Sequence, residues 1–345
     1  MKKRPVFPFT AIVGQENMKE ALLLNTVNPL IGGVLIRGEK GTAKSTAVRA
    51  LADLLPERHV VAGCACGCEY GNPEEYCPEC AERRERGELK EAVTNMRVVE
   101  LPLSSTEDRV AGTLDIEHAI STGKKKFEPG VLAKANGNIL YVDEVNLLDD
   151  HLVDLLLDAA AMGVNYIERE GISYSHPSKF ILVGTMNPEE GDLRPQLLDR
   201  FGLMVDVVAE RDEQRRMEIL VRRMDFEKDP EGFIEDWADE QQKMRDGIVE
   251  ARELVKEIEP TPDVVRAAVR IPLHLEVDGH RADLTLLKAA SAYAAMCKRT
   301  EVVPSDVVHV SNLVMPHRMR RNPFQDTSLD TEELDRWIQS TFGKD

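Results

Sequence analysis

The chain has 345 residues with an ordinary globular composition, and its 61 acidic residues outweigh 44 basic ones for a formal charge of −17. That length supports a large core split over two domains, and the acidity argues against a nucleic-acid face, which needs clustered Lys and Arg to neutralise phosphates. No apolar stretch approaches the roughly 20 residues that span a bilayer, and Met1-Lys2-Lys3-Arg4-Pro5 lacks the apolar core of a secretory signal, so the reading is a cytoplasmic protein without a membrane partner.

From the N-terminus to about residue 208, short apolar runs alternate with helical periods, the pattern of an α/β parallel sheet flanked by helices. Candidate core strands are 33–36, 96–101, 139–142, 180–184 and 203–207. The first runs into Gly38-Glu39-Lys40-Gly41-Thr42-Ala43-Lys44-Ser45-Thr46. A glycine turn between a buried strand and a helix leaves backbone N–H groups free to converge on phosphate oxygens. Lys44 then reaches the β/γ-phosphates of a nucleotide, and Ser45 offers its hydroxyl to Mg²⁺. Glycine usually stands where this chain has Ala43. A Cβ there costs about 1–2 kcal/mol in a left-handed backbone and almost nothing in a helical one. Because residues 42–47 read as the opening turn of a helix, Ala43 is expected to have helical dihedrals.

Five of the six cysteines fall between Cys64 and Cys80. Clustering in a cytosolic chain reads as a metal site before it reads as disulfides. Cys64, Cys68, Cys77 and Cys80 can supply four thiolates to a structural Zn²⁺, with Cys66 a spare that could substitute. An iron–sulfur cluster, a redox-responsive thiol set and metal-free cysteines remain alternatives. Cys297, on an apolar helix face, reads as core packing. The eight histidines are scattered without metal-ligand spacing.

Two inserts read as hairpins. The first, 112–130, has a turn signal at Gly123 and the run Lys124, Lys125 and Lys126; the second, 164–174, turns at Glu170-Gly171. Their bland reading is solvated surface, and their sharper one is a pair of grips for a partner.

Ile139-Leu140-Tyr141-Val142 is a continuous apolar run, suited to a central parallel strand, and it ends in Asp143-Glu144. Ligands collect at the carboxyl ends of such strands. Asp143 is placed for the Mg²⁺ shell and Glu144 for general base on the attacking water. Another strand ends in Asn187, an amide that can hold the water without repelling the anion. Arg200 presents a planar fork that, supplied from a neighbouring subunit, suits a γ-phosphate; the competing reading is an ion pair with Asp199 or a nearby acid, and Arg194 is the weaker finger candidate. Beyond Glu210 the strand signal vanishes. One amphipathic helix is expected between Pro230 and Pro260, then helices at 261–269, 282–297 and 304–314, and a frayed polar tail from Arg321.

Phe9-Thr10-Ala11-Ile12-Val13-Gly14-Gln15, the 38–45 loop, the 140–148 run, the string from Gly184 to Gly202 and His317-Arg318-Met319-Arg320-Arg321-Asn322-Pro323 together resemble the AAA+ ATPase subunit I of magnesium chelatase. The match covers nearly the whole chain, and the 186–202 string is more specific than either Walker motif. The resemblance implies an AAA+ P-loop NTPase core over 1–208, with a Cys-rich insertion at about 62–82 and hairpin inserts at 112–130 and 163–176. A helical connector over 209–260, an α-helical lid over 261–320 and a tail over 321–345 follow. It implies that Ile12 and Val13 line the adenine pocket, that Arg281 is a second sensor reaching the nucleotide from the lid, and that Arg200 acts in trans within a hexameric ring. The implied partners are a von Willebrand/integrin-like AAA+ subunit and a large catalytic subunit, with ATP hydrolysis driving Mg or Co insertion into a tetrapyrrole. The alternative is a MoxR-type remodelling chaperone acting on a von Willebrand-domain protein.

Overall fold

The computed structural model describes residues 5–39, 41–114, 127–169, 172–319, 336, 337 and 340. Five parallel strands make the central sheet, ordered Leu203–Val207, Val34–Gly38, Ile181–Met186, Ile139–Val142 and Val98–Glu100. Val34 pairs with both Val183 and Leu203, and Ile139 with both Ile181 and Val98. The first strand in the chain thus lies between the last two, an order that parallel pairing reaches only through helical crossovers. The expected 96–101 strand narrows to three residues.

Alternation along these strands sorts the core into two layers. Val34, Ile36, Ile139, Tyr141, Ile181, Val183, Leu203 and Val205 face one hydrophobic cluster, whereas Leu35, Leu140, Val142, Leu182 and Met204 face the other. The second layer is covered by the helices Val131–Ala135, Asp150–Met162 and Pro195–Leu198, and the first by Glu16–Val27 and Lys44–Leu54.

Glu16–Val27 is buried from Ala21 to Val27 without a polar face, because the sheet lies on one side and the C-terminal helices on the other. Its Asn25 pairs within that interior, accepting from the Gly33 amide at 3.2 Å and donating to the Leu182 carbonyl at 3.4 Å. The C-terminal bundle comprises Ala238–Glu257, Pro262–His274, Arg281–Met296 and Pro304–Val314. Asp306 caps the last of these by accepting from the Val303 amide at 2.9 Å, and takes both arms of Arg299 at 2.6 and 3.0 Å.

Where one helix was expected between Pro230 and Pro260 there are two, Pro230–Asp236 and Ala238–Glu257. The break is at Trp237, whose ring packs on Phe233 and receives the Arg222 guanidinium at 4.6 Å. Glu213–Lys228 is a further helix with no strong sequence signal, since its apolar residues fall among charges and only Phe226 is buried. Cys297 ends a helix as an exposed residue, so it is not core packing. Val164–Arg169 and Ile172–Pro177 form the second hairpin, and Gly112–Leu114 pairs with Phe127–Pro129 at the root of the first. The turns at Gly123 and Glu170-Gly171 and the lysines 124–126 lie outside the described residues. Among the described residues no helix is long and apolar enough to cross a membrane.

Gly38 ends the first strand so close to its neighbour that an added Cβ would lie 2.2 Å from the Val207 carbonyl oxygen. Gly38→Ala is therefore expected to push the edge strand aside and lower stability by about 1–3 kcal/mol. An unchanged urea midpoint would show that the sheet yields there at no cost.

Candidate functional site

At the carboxyl edge of the sheet a cavity of about 860 Å³ opens, lined by the loop and helix start from Gly41 to Thr46, by the strand ends at Asp143, Glu144 and Asn187, and by Ile12 and Val13. The loop is held from within. Thr42 Oγ1 donates to the Glu39 carbonyl at 2.8 Å, and the Lys44 ammonium donates to the Gly38 carbonyl and to that of Glu39 at 3.1 Å. Gly41 has φ 84°, a conformation glycine adopts at no steric cost. Ala43 corrects the sequence expectation: at φ 60° and ψ 17° it is left-handed, not helical. The helix begins only at Lys44, and the turn that aims Lys44 and Ser45 into the cavity is closed by an alanine bearing a local strain of about 1–2 kcal/mol. Lys40 lies outside the described residues.

The acidic wall is tied together by a residue that sequence reasoning passed over. Thr185 Oγ1 donates to Asp143 Oδ1 at 2.6 Å and accepts from the Glu144 amide at 3.0 Å. Tyr141 donates to the same Asp143 oxygen at 2.9 Å, and burial pushes its phenol up, so it stays a donor. Both hydroxyls fall on Oδ1, which fixes the carboxylate plane without drawing on Oδ2. Glu144 itself is left-handed at φ 54° and ψ 53°, turning the chain away just past the strand. Asn187 Oδ1 accepts from the Glu189 amide at 3.3 Å, which presents the NH₂ end as the available donor. The signal for Thr185 was register: Val142 pairs with Gly184, so the next residues, Asp143 and Thr185, emerge side by side.

The wall opposite the phosphate loop comes from Phe7–Gln15 and from Glu213–Lys228, through Arg216, Ile219, Leu220 and Arg222. Ile12 and Val13 are fixed by their flanks. Lys19 donates to the Ile12 carbonyl at 3.2 Å, Gln15 to the Val208 carbonyl at 2.9 Å, and Arg222 to the Ala11 carbonyl at 2.8 Å. Glu210 also faces the cavity, its carboxylate held below the usual range by the Asp212 and Arg211 amides.

The two arginines expected near the nucleotide do not line this cavity. Arg200 is held by Asp158 at 2.7 Å and Asp154 at 3.1 Å, both on Asp150–Met162, and Arg194 pairs with Asp150. Arg281 donates to Asp199 Oδ2 at 2.8 Å, which places the second-sensor candidate beside the Arg200 turn and not at its own chain's phosphate loop. Arg318 clamps the same turn. Its guanidinium, 1% exposed, donates to the carbonyls of Asp199, Phe201 and Gly202 and to Asp199 Oδ1 at 2.7–3.3 Å. Burial lowers Arg318 to about 10, so it remains a cation at neutral pH. His317 is pushed well below its ordinary value by burial, so it is neutral and its Nε2 donates to the Phe201 carbonyl at 3.0 Å.

Away from the cavity, the thiols of Cys64, Cys68, Cys77 and Cys80 all lie within 4.8 Å of one another, and the Cys64 and Cys77 sulfurs are 3.8 Å apart. No pair is bonded as a disulfide. Tetrahedral Zn–S bonds of about 2.3 Å set sulfurs roughly 3.8 Å apart, so the set fits Zn²⁺. The Cys77 amide donates to Cys68 Sγ at 3.2 Å, a bond that favours a thiolate. Cys66 is buried beside these four but is not one of the convergent set.

Two family models match the chain: an AAA domain of the dynein-related subfamily over residues 84–201 and an AAA lid domain over 265–337. A magnesium-chelatase subunit ChlI homolog from Methanocaldococcus jannaschii is 56% identical over 334 residues, covering 96% of this chain and 91% of that protein. The magnesium-chelatase 38 kDa subunit of Acidiphilium rubrum is 48% identical over 98% of each chain. Among solved structures, a chain of the complex between subunits BchI and BchD of magnesium chelatase, reconstructed by cryo-EM, is 48% identical. It aligns with a TM-score of 0.57 over 96% of this chain and 99% of that one.

The left-handed Ala43 carries a direct consequence. Ala43→Gly removes about 1–2 kcal/mol of backbone strain and returns about 0.4–1 kcal/mol of unfolded-chain entropy. A small net gain in stability is expected in urea denaturation, and a loss would mean that the Ala43 methyl is worth more than its backbone costs.

Proposed function

The chain belongs to the magnesium-chelatase subunit I family of AAA ATPases, and from that premise we propose that it is the motor of a metal chelatase, coupling ATP hydrolysis to insertion of Mg or Co into a tetrapyrrole held on another subunit. The observation that carries this reading is the convergence of the phosphate loop, Asp143, Glu144 and Asn187 on one cavity.

In the proposed mechanism the loop amides and Lys44 take the β- and γ-phosphates. Ser45 and Asp143 hold Mg²⁺, which when bound neutralises charge on the phosphate oxygens. Glu144 accepts a proton from the water as its oxygen bonds to the γ-phosphorus and the bond to the ADP oxygen breaks. Asn187 orients that water, and Thr185, bonded to Asp143 and to the Glu144 amide, sets the distance between the metal-holding and water-activating groups. Ile12 and Val13 take the adenine.

Arg200 and Arg281 complete the site from outside. Both are carried at the Asp199 corner, away from the chain's own cavity, so a head-to-tail ring would set that corner at the next copy's γ-phosphate. A hexamer is the closed ring we propose, working in the cytoplasm. A relative of known structure is in complex with a second chelatase subunit. That supports a second chelatase subunit as a partner here; we propose that it is an integrin-like AAA+ subunit and that a large catalytic subunit joins the two. We also propose one structural Zn²⁺ on Cys64, Cys68, Cys77 and Cys80, supported by the fit of the four thiols.

Mixed with its two partner subunits, a tetrapyrrole, Mg²⁺ or Co²⁺ and ATP, the protein is expected to metallate the ring, and Glu144→Gln is expected to bind ATP with near-native affinity yet turn over at least about 100-fold more slowly. Metallation without ATP consumption would refute the motor reading, and unchanged turnover would remove Glu144 as the base.

Arg200→Ala and Lys44→Ala should each be inactive alone. Mixed, they should regain part of the ATPase rate, since a ring places an intact Arg200 beside an intact phosphate loop at some interfaces. No recovery in mixtures shown by native mass spectrometry to co-assemble would exclude action across subunits.

A further inference from the structure

The insertion that carries the thiols has almost no core of its own. Between its paired strands Arg58–Val61 and Glu91–Thr94, the buried side chains are Val61 and four of the five cysteines. What orders this segment is therefore what holds the sulfurs. Its outer surface is not solvated everywhere, because one edge is applied to the roots of both hairpins.

Three sets of contacts make that edge. Phe127, on the return strand of the first hairpin, packs against the cysteine cluster together with Ala133. The same ring stacks on Tyr174 at 4.5 Å and 20° and lies 5.1 Å from His176, both on the return strand of the second hairpin. Asn136 Nδ2 donates to the carbonyls of Cys66 at 2.9 Å and Gly67 at 3.3 Å, and its Oδ1 accepts from the amide of Lys179, two residues after the second hairpin. Lys179 in turn reaches back to Glu75 in the loop between the two cysteine pairs. Asn165 completes the junction by donating to the Ala111 carbonyl at 2.9 Å, next to the start of the first hairpin, while contacting His176 at 3.0 Å.

We propose that the metal-loaded Cys64–Cys68–Cys77–Cys80 knuckle is the brace that fixes the roots of both hairpins, so that hairpin order depends on the state of the thiols while the nucleotide cavity does not. This rests on the metal reading given above. The cavity's described lining includes no residue from 58–94, whereas Phe127, Asn136, Tyr174 and Lys179 all touch the module or lean on a residue that does. Loss of the metal, or oxidation of two thiols to a disulfide by an external disulfide or peroxide that takes their two electrons, would free Cys66, Gly67 and Glu75 from their docked positions. The motor would go on hydrolysing ATP with its grips unset.

The test uses the full-length protein with metal analysis, amide hydrogen exchange and ATPase rate read on each sample. The wild type should hold about one zinc per chain. Cys77→Ser should lose it, raise exchange at 127–129 and 164–177 on the order of tenfold, and leave the basal ATPase rate within about twofold. Tyr174→Ala, which touches no ligand, should keep the zinc and still loosen 127–129. A wild type lacking zinc, or brown with bound iron, overturns the zinc reading by itself. Zinc lost in Cys77→Ser with hairpin exchange unchanged overturns the brace and leaves the metal in place. Were Cys77→Ser not to fold, native exchange at 127–129 in Tyr174→Ala would overturn the brace alone.

Discussion

The Thr185 hydroxyl is the joint on which the nucleotide cavity is built. It donates to Asp143 and accepts from the Glu144 amide, so one oxygen fixes the positions of two adjacent acids on the neighbouring strand. That is possible only because the two central strands are in parallel register, with Val142 beside Gly184. Both strands are buried throughout, and a hydroxyl in that setting must be satisfied locally, since an unpaired one costs about 1–3 kcal/mol. The demand for pairing and the placement of the acids are thus one constraint. It also accounts for the strained backbone at Glu144: the chain turns left-handed as soon as its amide has been claimed, and Ala43 does the same across the cavity.

The C-terminal helices take part in this site through the Asp199–Gly202 turn. Glu16–Val27 transmits their packing to the sheet because it is buried on all sides from Ala21 to Val27 and shares one cluster with both. Arg318 and His317 then reach past it to the carbonyls of the turn, and Arg281 takes the Asp199 carboxylate. Arg281 comes from a helix of the bundle and His317 and Arg318 from the turn that follows its last helix, and all act on the residue just before Arg200 or the two just after it. A rotation of the bundle on the sheet would carry the Arg200 turn with it.

Much of this was legible in the sequence, for identifiable reasons. Continuous apolar runs ending in Asp143-Glu144 or Asn187 could only be central strands with polar carboxyl ends, and the structure places them so. The four thiols that converge are those whose spacing suited a metal. What stayed hidden was set by long-range geometry. Ala43 reads as helical from its neighbours, but it is the left-handed residue that closes the loop, and the helix begins only at Lys44. The family resemblance brings Arg281 to the nucleotide from the lid, and only the docking of the bundle shows that it meets Asp199 beside the Arg200 turn. The helix Glu213–Lys228 buries only Phe226, with Ile219 and Leu220 on the cavity wall and Met217, Val221 and Met224 exposed, so it lacks the buried stripe by which periodicity finds helices.

The ion pairs around the Asp199 turn differ in how tightly they are held, and that difference says which part moves. Arg200 is 30% exposed and its partners Asp154 and Asp158 are 45% and 54% exposed. Pairs of that kind are worth about 0–1 kcal/mol each, since water screens them and two side chains must be ordered to make them. Arg318 is sealed in and bonded to three carbonyls and a carboxylate, and each buried acceptor it left would cost about 1–3 kcal/mol. The backbone of the turn is therefore rigidly tied to the helical bundle, while the Arg200 fork can leave its aspartates for a better anion at small cost. A phosphate presented by a neighbouring copy would be such an anion, because the planar fork binds it with two parallel hydrogen bonds and the aspartates left behind are already half in water.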